Sequence, residues 1–211
     1  MNYQTRRDNH DFMKPDHVAS FLRNYNTGTN NRGRHCLASI IREHSNPTVL
    51  DVACGTAVNW EVFKGVGVQC QYTGLDRTKK MLAHAESLYG SEISLKEGYI
   101  QSLPFQDSSF DIVIARHIFE HLGEGYENAI KEVCRVASKE AVIVLFVDLA
   151  DQPDDDIKES EPDENGCTYY WNTYAADKFM NFLSTLGCRI EVDYVRTPGA
   201  AHADTIIRLI K

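Results

Sequence analysis

The stretch Thr48 to Ala57, TVLDVACGTA, constrains the fold more than any other part of the chain. Val49, Leu50 and Val52 favour a buried strand, and Asp51 stands where that strand runs out. Ala53, Cys54, Gly55, Thr56 and Ala57 follow as a turn of small side chains, over which a ligand can approach the backbone closely. A second strand, Cys70 to Leu75, ends in another acid, Asp76. Two strands that finish in acids 25 residues apart describe a nucleoside site at the carboxyl edge of an open α/β sheet.

The chemistry of the turn narrows the ligand. A turn that holds a pyrophosphate usually reads GxGxxG. DVACGTA has one glycine and a carboxylate at its mouth, which repels a pyrophosphate and attracts a cation. A ligand with an ammonium and a sulfonium next to an adenosine fits. Asp76 would then meet the ribose hydroxyls, as the acid after the second strand does in nucleotide-binding folds. Each acid also has a plainer role open to it, as a cap on the helix that follows.

Four blocks extend the pattern: VLDVACGTA (49–57), YTGLDRTKKML (72–82), EGYIQSLPFQDSSFDIVIARHIFEHL (97–122) and EVCRVASKEAVIVLF (132–146). In this order the chain resembles the class I S-adenosylmethionine-dependent methyltransferases, of the group that includes the ubiquinone/menaquinone-biosynthesis enzymes. The resemblance covers roughly residues 48 to 148, and the long LPF-x-D-x-SFD-x-V run is its most specific part. It implies an α/β fold with a Rossmann-like, mostly parallel seven-stranded sheet, helices on both faces and a C-terminal antiparallel hairpin. It also implies S-adenosyl-L-methionine as cofactor and a small-molecule acceptor. Two glycines usual in the first motif are Ala53 and Ala57, and the acid often found after the third strand is Tyr99. Should either alanine have to take positive φ, cofactor affinity would be low and glycine there should raise it.

The remaining chain fits this frame. A chain of 211 residues, 43% hydrophobic, suits one domain with a sizeable core. Residues 1–46 read as a helical cap, with apolar faces at His17 to Arg23 and Arg34 to His44 separated by turn-rich NYNTGTNNRG. The cofactor-binding core runs over 47–148. Its expected strands are 48–52, 70–75, 93–97, 110–115 and 140–147, with helices from Val58, over 78–89 and over 126–137. An acidic insertion spans 149–173, and a helix at 174–186 precedes strands at 188–196 and 203–210. Alternation up to 147 implies parallel pairing with right-handed crossovers, whereas the short final connection forces the last two strands antiparallel.

Charge is concentrated. Asp148 to Glu164 holds nine acids and one lysine, which equals the net charge of −8 for the whole chain. That run reads as a solvated loop or as a lid over the site, closing toward a cap that carries Arg23, Arg32 and Arg34. No basic stripe with interleaved aromatics points to nucleic acid. No apolar run approaches a membrane span and no signal segment opens the chain, so a cytoplasmic protein is expected. The six cysteines lack CxxC spacing and read as reduced thiols.

Methyl transfer from a sulfonium needs positioning more than a triad. The resemblance assigns Asp51 to the cofactor ammonium and Ala53, Gly55 and Thr56 to its methionine part. Asp76 goes to the ribose, Arg77, Tyr99, Ile100 and Gln101 to the adenine side, and Arg116 to the amino-acid end. His117 and His121 are candidate bases, sharing a face if their segment is helical, and each has a non-catalytic reading as well. No metal is expected. Asp148, Tyr170 and Trp171 are candidate substrate contacts; Tyr169, Tyr25 and Phe12 are similar, and the aromatics of CTYYWNTY serve equally to dock the insertion. A non-catalytic cofactor-binding partner protein is the alternative reading, and a nucleotide-linked oxidoreductase is disfavoured by Asp51.

Overall fold

The computed structural model describes residues 31–161, 170–199 and 203–211. The expected helix at His17 to Arg23, together with Phe12, Tyr25, Cys167 and Tyr169, lies outside them. Among the described residues the helices are α1 (Arg32–Arg42), α2 (Val58–Gly65), α3 (Lys79–Tyr89), α4 (Tyr126–Val136) and α5 (Ala176–Ser184). The strands are β1 (Thr48–Val52), β2 (Gln71–Asp76), β3 (Ser94–Glu97), β4 (Phe110–Arg116) and β5 (Ala137–Leu145), then β6 (Asp156–Glu159), β7 (Tyr170–Thr173), β8 (Arg189–Val195) and β9 (Asp204–Ile210).

Seven strands form one sheet in the order β3-β2-β1-β4-β5-β9-β8. The first five are parallel, and β9 runs antiparallel between β5 and β8. Side chains alternate across it as a sheet covered on both faces requires. Leu50, Val52, Val113 and Ile143 pack with Ile130, Val133 and Phe179 of α4 and α5. Val49, Ile112, Ile114 and Val144 pack with Leu37, Ile41 and Phe63 of α1 and α2. The sheet order reverses direction between β1 and β4, so their carboxyl ends open the crevice where ligands of such folds sit.

The ends of β5 depart from expectation. The strand starts at Ala137, directly after α4, because Ala137 is already extended (φ −75°, ψ 136°). It stops at Leu145, and the Phe146 N–H is taken by the Glu120 Oε1 at 2.7 Å. Asp148 therefore does not end the strand; it is an exposed residue in the connection beyond. The acidic insertion is also more structured than its charge suggests. β6 and β7 pair antiparallel from Asp156↔Thr173 to Glu159↔Tyr170. Their root is pinned by Asp155, which accepts from the Ala175 N–H, the Tyr126 hydroxyl and Lys178.

Candidate active site

The 53–57 turn closes onto β2. The Cys54 N–H donates to the Leu75 carbonyl at 3.1 Å, and the Gly55 N–H donates to Asp76 Oδ2 at 2.9 Å. Asp76 Oδ1 accepts from the Thr78 N–H at 2.8 Å, so this carboxylate also caps the entry to α3. A Cβ at Gly74 would lie 2.7 Å from Cys54 Sγ, which explains a glycine in β2 beneath the turn. Gly55 has φ 57°, and nothing lies within 4 Å of where its Cβ would stand. The turn is thus an open cradle with an acid on each strand end beside it.

Asp51 is 1% exposed. Its carboxylate accepts from Asn59 Nδ2 at 3.1 and 3.3 Å and from the Tyr72 hydroxyl at 2.5 Å. Burial lifts its pKa to about 6; the hydrogen bonds from Tyr72 and Asn59 and the charges of Arg34 and Arg116 oppose the rise without cancelling it. Arg34 Nε in turn donates to Asn59 Oδ1 at 3.1 Å, tying α1 to this acid.

A second network lies at the ends of β4 and β9. Arg116 donates to Asp204 Oδ2 at 3.0 Å and to Asn31, the N-cap of α1, at 3.4 Å. The other Asp204 oxygen faces His117 Nε2 at 2.9 Å. Burial alone would raise the Asp204 pKa, but the bond to His117 and the Arg116 charge hold it below the usual range. His117 is pushed down to about 4, chiefly by burial, and is neutral at pH 7. Arg116 is therefore bound within the protein, with its Nε buried and unpartnered, and is not a freely exposed cation at the cofactor end.

His117 and His121 do not share a helical face. His117 has φ 55°, and Phe119–His121 is a single 3₁₀ turn. They meet instead around Phe146, whose ring centroid is 5.2 Å from that of His117 and 5.7 Å from that of His121. Trp171, half-exposed, packs against both Phe146 and His121 at 5.1 and 5.4 Å. Of the residues expected on the adenine side, Tyr99 is exposed, the Ile100 side chain is core, and the Gln101 carbonyl accepts from Asn128. Arg77 lies near enough to His121 for its charge to depress that histidine's pKa. Thr56 is buried within the turn. Among the described residues no cluster of His, Cys, Asp and Glu could hold a metal, and no helix is long and apolar enough to cross a membrane.

Residues 50–145 match the family model for a methyltransferase domain. Residues 50–145 are a class I S-adenosylmethionine-dependent methyltransferase domain.

A demethylmenaquinone methyltransferase of Desulfitobacterium hafniense is 37% identical to this chain over 109 residues, 49% of this chain and 42% of the relative. Its counterpart in Lactobacillus johnsonii is 28% identical over 173 residues, 79% and 65% of the two chains. The chain thus covers less than two thirds of either relative. Solved structures share the fold of the methyltransferase domain at low identity. The 1,6-didemethyltoxoflavin-N1-methyltransferase of Burkholderia thailandensis, bound to S-adenosylhomocysteine and 1,6-didemethyltoxoflavin, has a TM-score of 0.65 at 14% identity, covering 92% of this chain and 86% of that one. A methyltransferase of Methanosarcina mazei has a TM-score of 0.63 at 17% identity, covering 82% and 96%.

Asn59, Tyr72, Phe146 and Asp204 escaped the sequence reading of the methyltransferase domain and its flanks. Asn59 and Tyr72 carried no signal beyond their distance from Asp51. Glu120 is fully buried, and burial moves its pKa up to about 7. Asp204 opens a strand from a distant part of the chain, so nothing local to it announces a site.

The two alanines of the turn both sit at positive φ, 58° at Ala53 and 59° at Ala57. A left-handed non-glycine residue costs about 1–2 kcal/mol, and glycine gives back about 0.5–1 through the unfolded chain. Ala57 is fully buried in the core, so removing its methyl forfeits a further ~0.8 kcal/mol. Ala53→Gly should accordingly stabilise the protein by about 0.5–1 kcal/mol, while Ala57→Gly should be nearly neutral. Urea unfolding of the two variants checks this; a loss of stability in Ala53→Gly would contradict the strain argument.

Proposed function

We propose that the chain transfers a methyl group from S-adenosylmethionine to a small-molecule acceptor, with oxygen the first choice of atom methylated and nitrogen and carbon the alternatives. The observation that carries this reading is the open Gly55 cradle, flanked by two strand-end acids of different state. The cofactor, when bound, supplies a methyl already activated on a sulfonium. Asp76 already accepts backbone N–H groups on both oxygens and keeps lone pairs for the ribose hydroxyls. Asp51 is buried with neutral partners next to it, and the cofactor ammonium supplies the countercharge that its burial lacks. Tyr99, Ile100 and Gln101 border the adenine side. Tyr170 and Trp171 stand with the histidines on the acceptor side. The toxoflavin and menaquinone relatives bear names that specify small-molecule methyl acceptors, which supports the same class here.

Calorimetric titration with S-adenosylmethionine and with NAD, followed by transfer of labelled methyl to a panel of hydroxylated and amino compounds, tests the reading. Binding of NAD in place of S-adenosylmethionine would overturn it. A pH dependence follows from Asp51. A cation beside the carboxylate lowers its pKa from about 6, so binding favours the ionised form. Affinity should be level above pH 6 and fall as pH drops below it, by at most tenfold per unit. Asp51→Asn should bind more weakly and lose the slope between pH 5 and 7. A slope that persists in Asp51→Asn would assign it to another group.

A further inference from the structure

The acidic insertion reaches the site through β7, at Tyr170, Trp171 and Asn172. The Tyr170 carbonyl oxygen lies 3.0 Å from His121 Nδ1. The Trp171 ring meets the His121 ring nearly edge-on, at 69°. Asn172, with no exposed surface, donates from Nδ2 to the Gly123 carbonyl at 2.8 Å. Beyond the strand, the buried Tyr174 hydroxyl donates to the Phe119 carbonyl at 2.6 Å. These contacts bracket the 3₁₀ turn that carries His121. From the opposite side, Phe146 packs on the same imidazole, and its backbone N–H is fixed by Glu120.

A carbonyl oxygen has no hydrogen to give, so Nδ1 must carry the proton in this contact. The ring is then neutral with its lone pair on Nε2. Burial and the Arg77 charge keep it neutral, against the bond to Tyr170. Free imidazole side chains in water prefer the opposite tautomer, with the proton on Nε2, so the fold selects the rarer form. His117 is arranged otherwise: its Nε2 donates to a carboxylate within the network that seats α1.

We propose that the β6–β7 pair is part of the catalytic machinery, its Tyr170 carbonyl fixing His121 with Nε2 as the base that receives the proton of the acceptor hydroxyl. The proposal rests on the methyl-transfer reading with an oxygen acceptor. The acceptor O–H bond breaks toward Nε2 while the acceptor oxygen bonds the methyl carbon. The electron pair of the breaking S–C bond stays on sulfur, and the imidazolium later returns its proton to water. His121 is thus a catalytic residue, and Tyr170 and Asn172 are positioning residues acting through it.

The test begins without ligand. Long-range ¹⁵N–¹H spectra of the imidazole groups near neutral pH should show His121 protonated on Nδ1. In Asn172→Ala, which loosens the grip on the turn, and in Trp171→Ala, at a half-exposed position the fold tolerates, the signal should move toward the Nε2-protonated form. A wild-type signal of the Nε2-protonated form overturns the clamp, whatever the activity. With cofactor and a methylated acceptor in hand, His121→Ala should lower kcat by about 10²-fold or more, with cofactor KM unchanged. The two loosening variants should lower kcat by about tenfold, also at constant cofactor KM. A His121→Ala rate within twofold of wild type would overturn the base assignment and leave the methyltransferase reading intact. Failure of the wild type to bind the cofactor would instead overturn that underlying reading, with the tautomer still decided by the spectra.

Discussion

Replacing Asp204 by alanine should destabilise the protein by about 3–5 kcal/mol, the cost of leaving a buried charge without its partner. Arg116 and Asp204 have side chains only 7% and 9% exposed. The guanidinium cannot simply turn to water once the carboxylate is gone. His117 loses its acceptor at the same time, and α1 loses the group its first turn sits on, since a Cβ at Gly33 would lie 2.0 Å from Asp204 Oδ2. Asp204→Asn keeps the shape and one acceptor and should fall between alanine and wild type. Urea unfolding measures all three. A change below about 1 kcal/mol in Asp204→Ala would show that the pair does not hold this end of the site.

The Asp204 carboxylate also sets a pH window. Its folded pKa is held low, so the stability it supplies is present above the ordinary aspartate range and is lost as pH falls through the folded value. His117, depressed to about 4, acts in the same direction: between pH 6.5 and 4 the unfolded chain takes up its proton first.

Asp76→Ala should weaken S-adenosylmethionine binding by one to two decades, on the order of 1.5–3 kcal/mol for hydrogen bonds to a charged group. The carboxylate does two things at once. It offers acceptors to the ribose in the proposed complex, and it holds the Gly55 N–H, hence the cradle, against β2. The fold should survive, because the Cys54 N–H to Leu75 carbonyl bond remains and Asp76 lies at the crevice. Calorimetry on Asp76→Ala beside Asp76→Asn separates charge from shape. Unchanged affinity in the alanine variant would remove Asp76 from the cofactor site.

The parallel half of the fold was legible because each strand carries its own signal. Val49 to Val52, Tyr72 to Leu75 and Ile112 to Ala115 are apolar runs that end in a turn or an acid, and the helix after β2 stops at Gly90 with φ 51°. Asp51 and Asp76 were legible for the same reason, as polar residues placed where apolar strands end. The β6–β7 pair was not, since DIKE and YWNT are short and the first is charged, and pairing across sequence leaves no period to read. Positive φ at Ala53 and Ala57 was legible only as an open case, from the glycines usual there, and at His117 it was hidden, because histidine favours negative φ and is held otherwise by its surroundings. The partners of Arg116 were out of reach for a third reason: Asp204 and Asn31 lie 88 and 85 residues away along the chain.

α1 is bonded to the β8–β9 end of the molecule at both of its own ends. The Arg32 N–H donates to Thr197 Oγ1, and Arg208 pairs with Glu43, each link spanning 165 residues. The loop-closure entropy of such contacts is modest, since each doubling of length adds only about 0.6 kcal/mol, but their formation is slow. The βαβ units of the sheet can assemble from neighbours in sequence. The surroundings of Arg116 can be completed only when Asn31 and Asp204, 85 and 88 residues away, have met it. The scaffold can therefore form from local units, whereas the Arg116 network waits on contacts that span much of the chain.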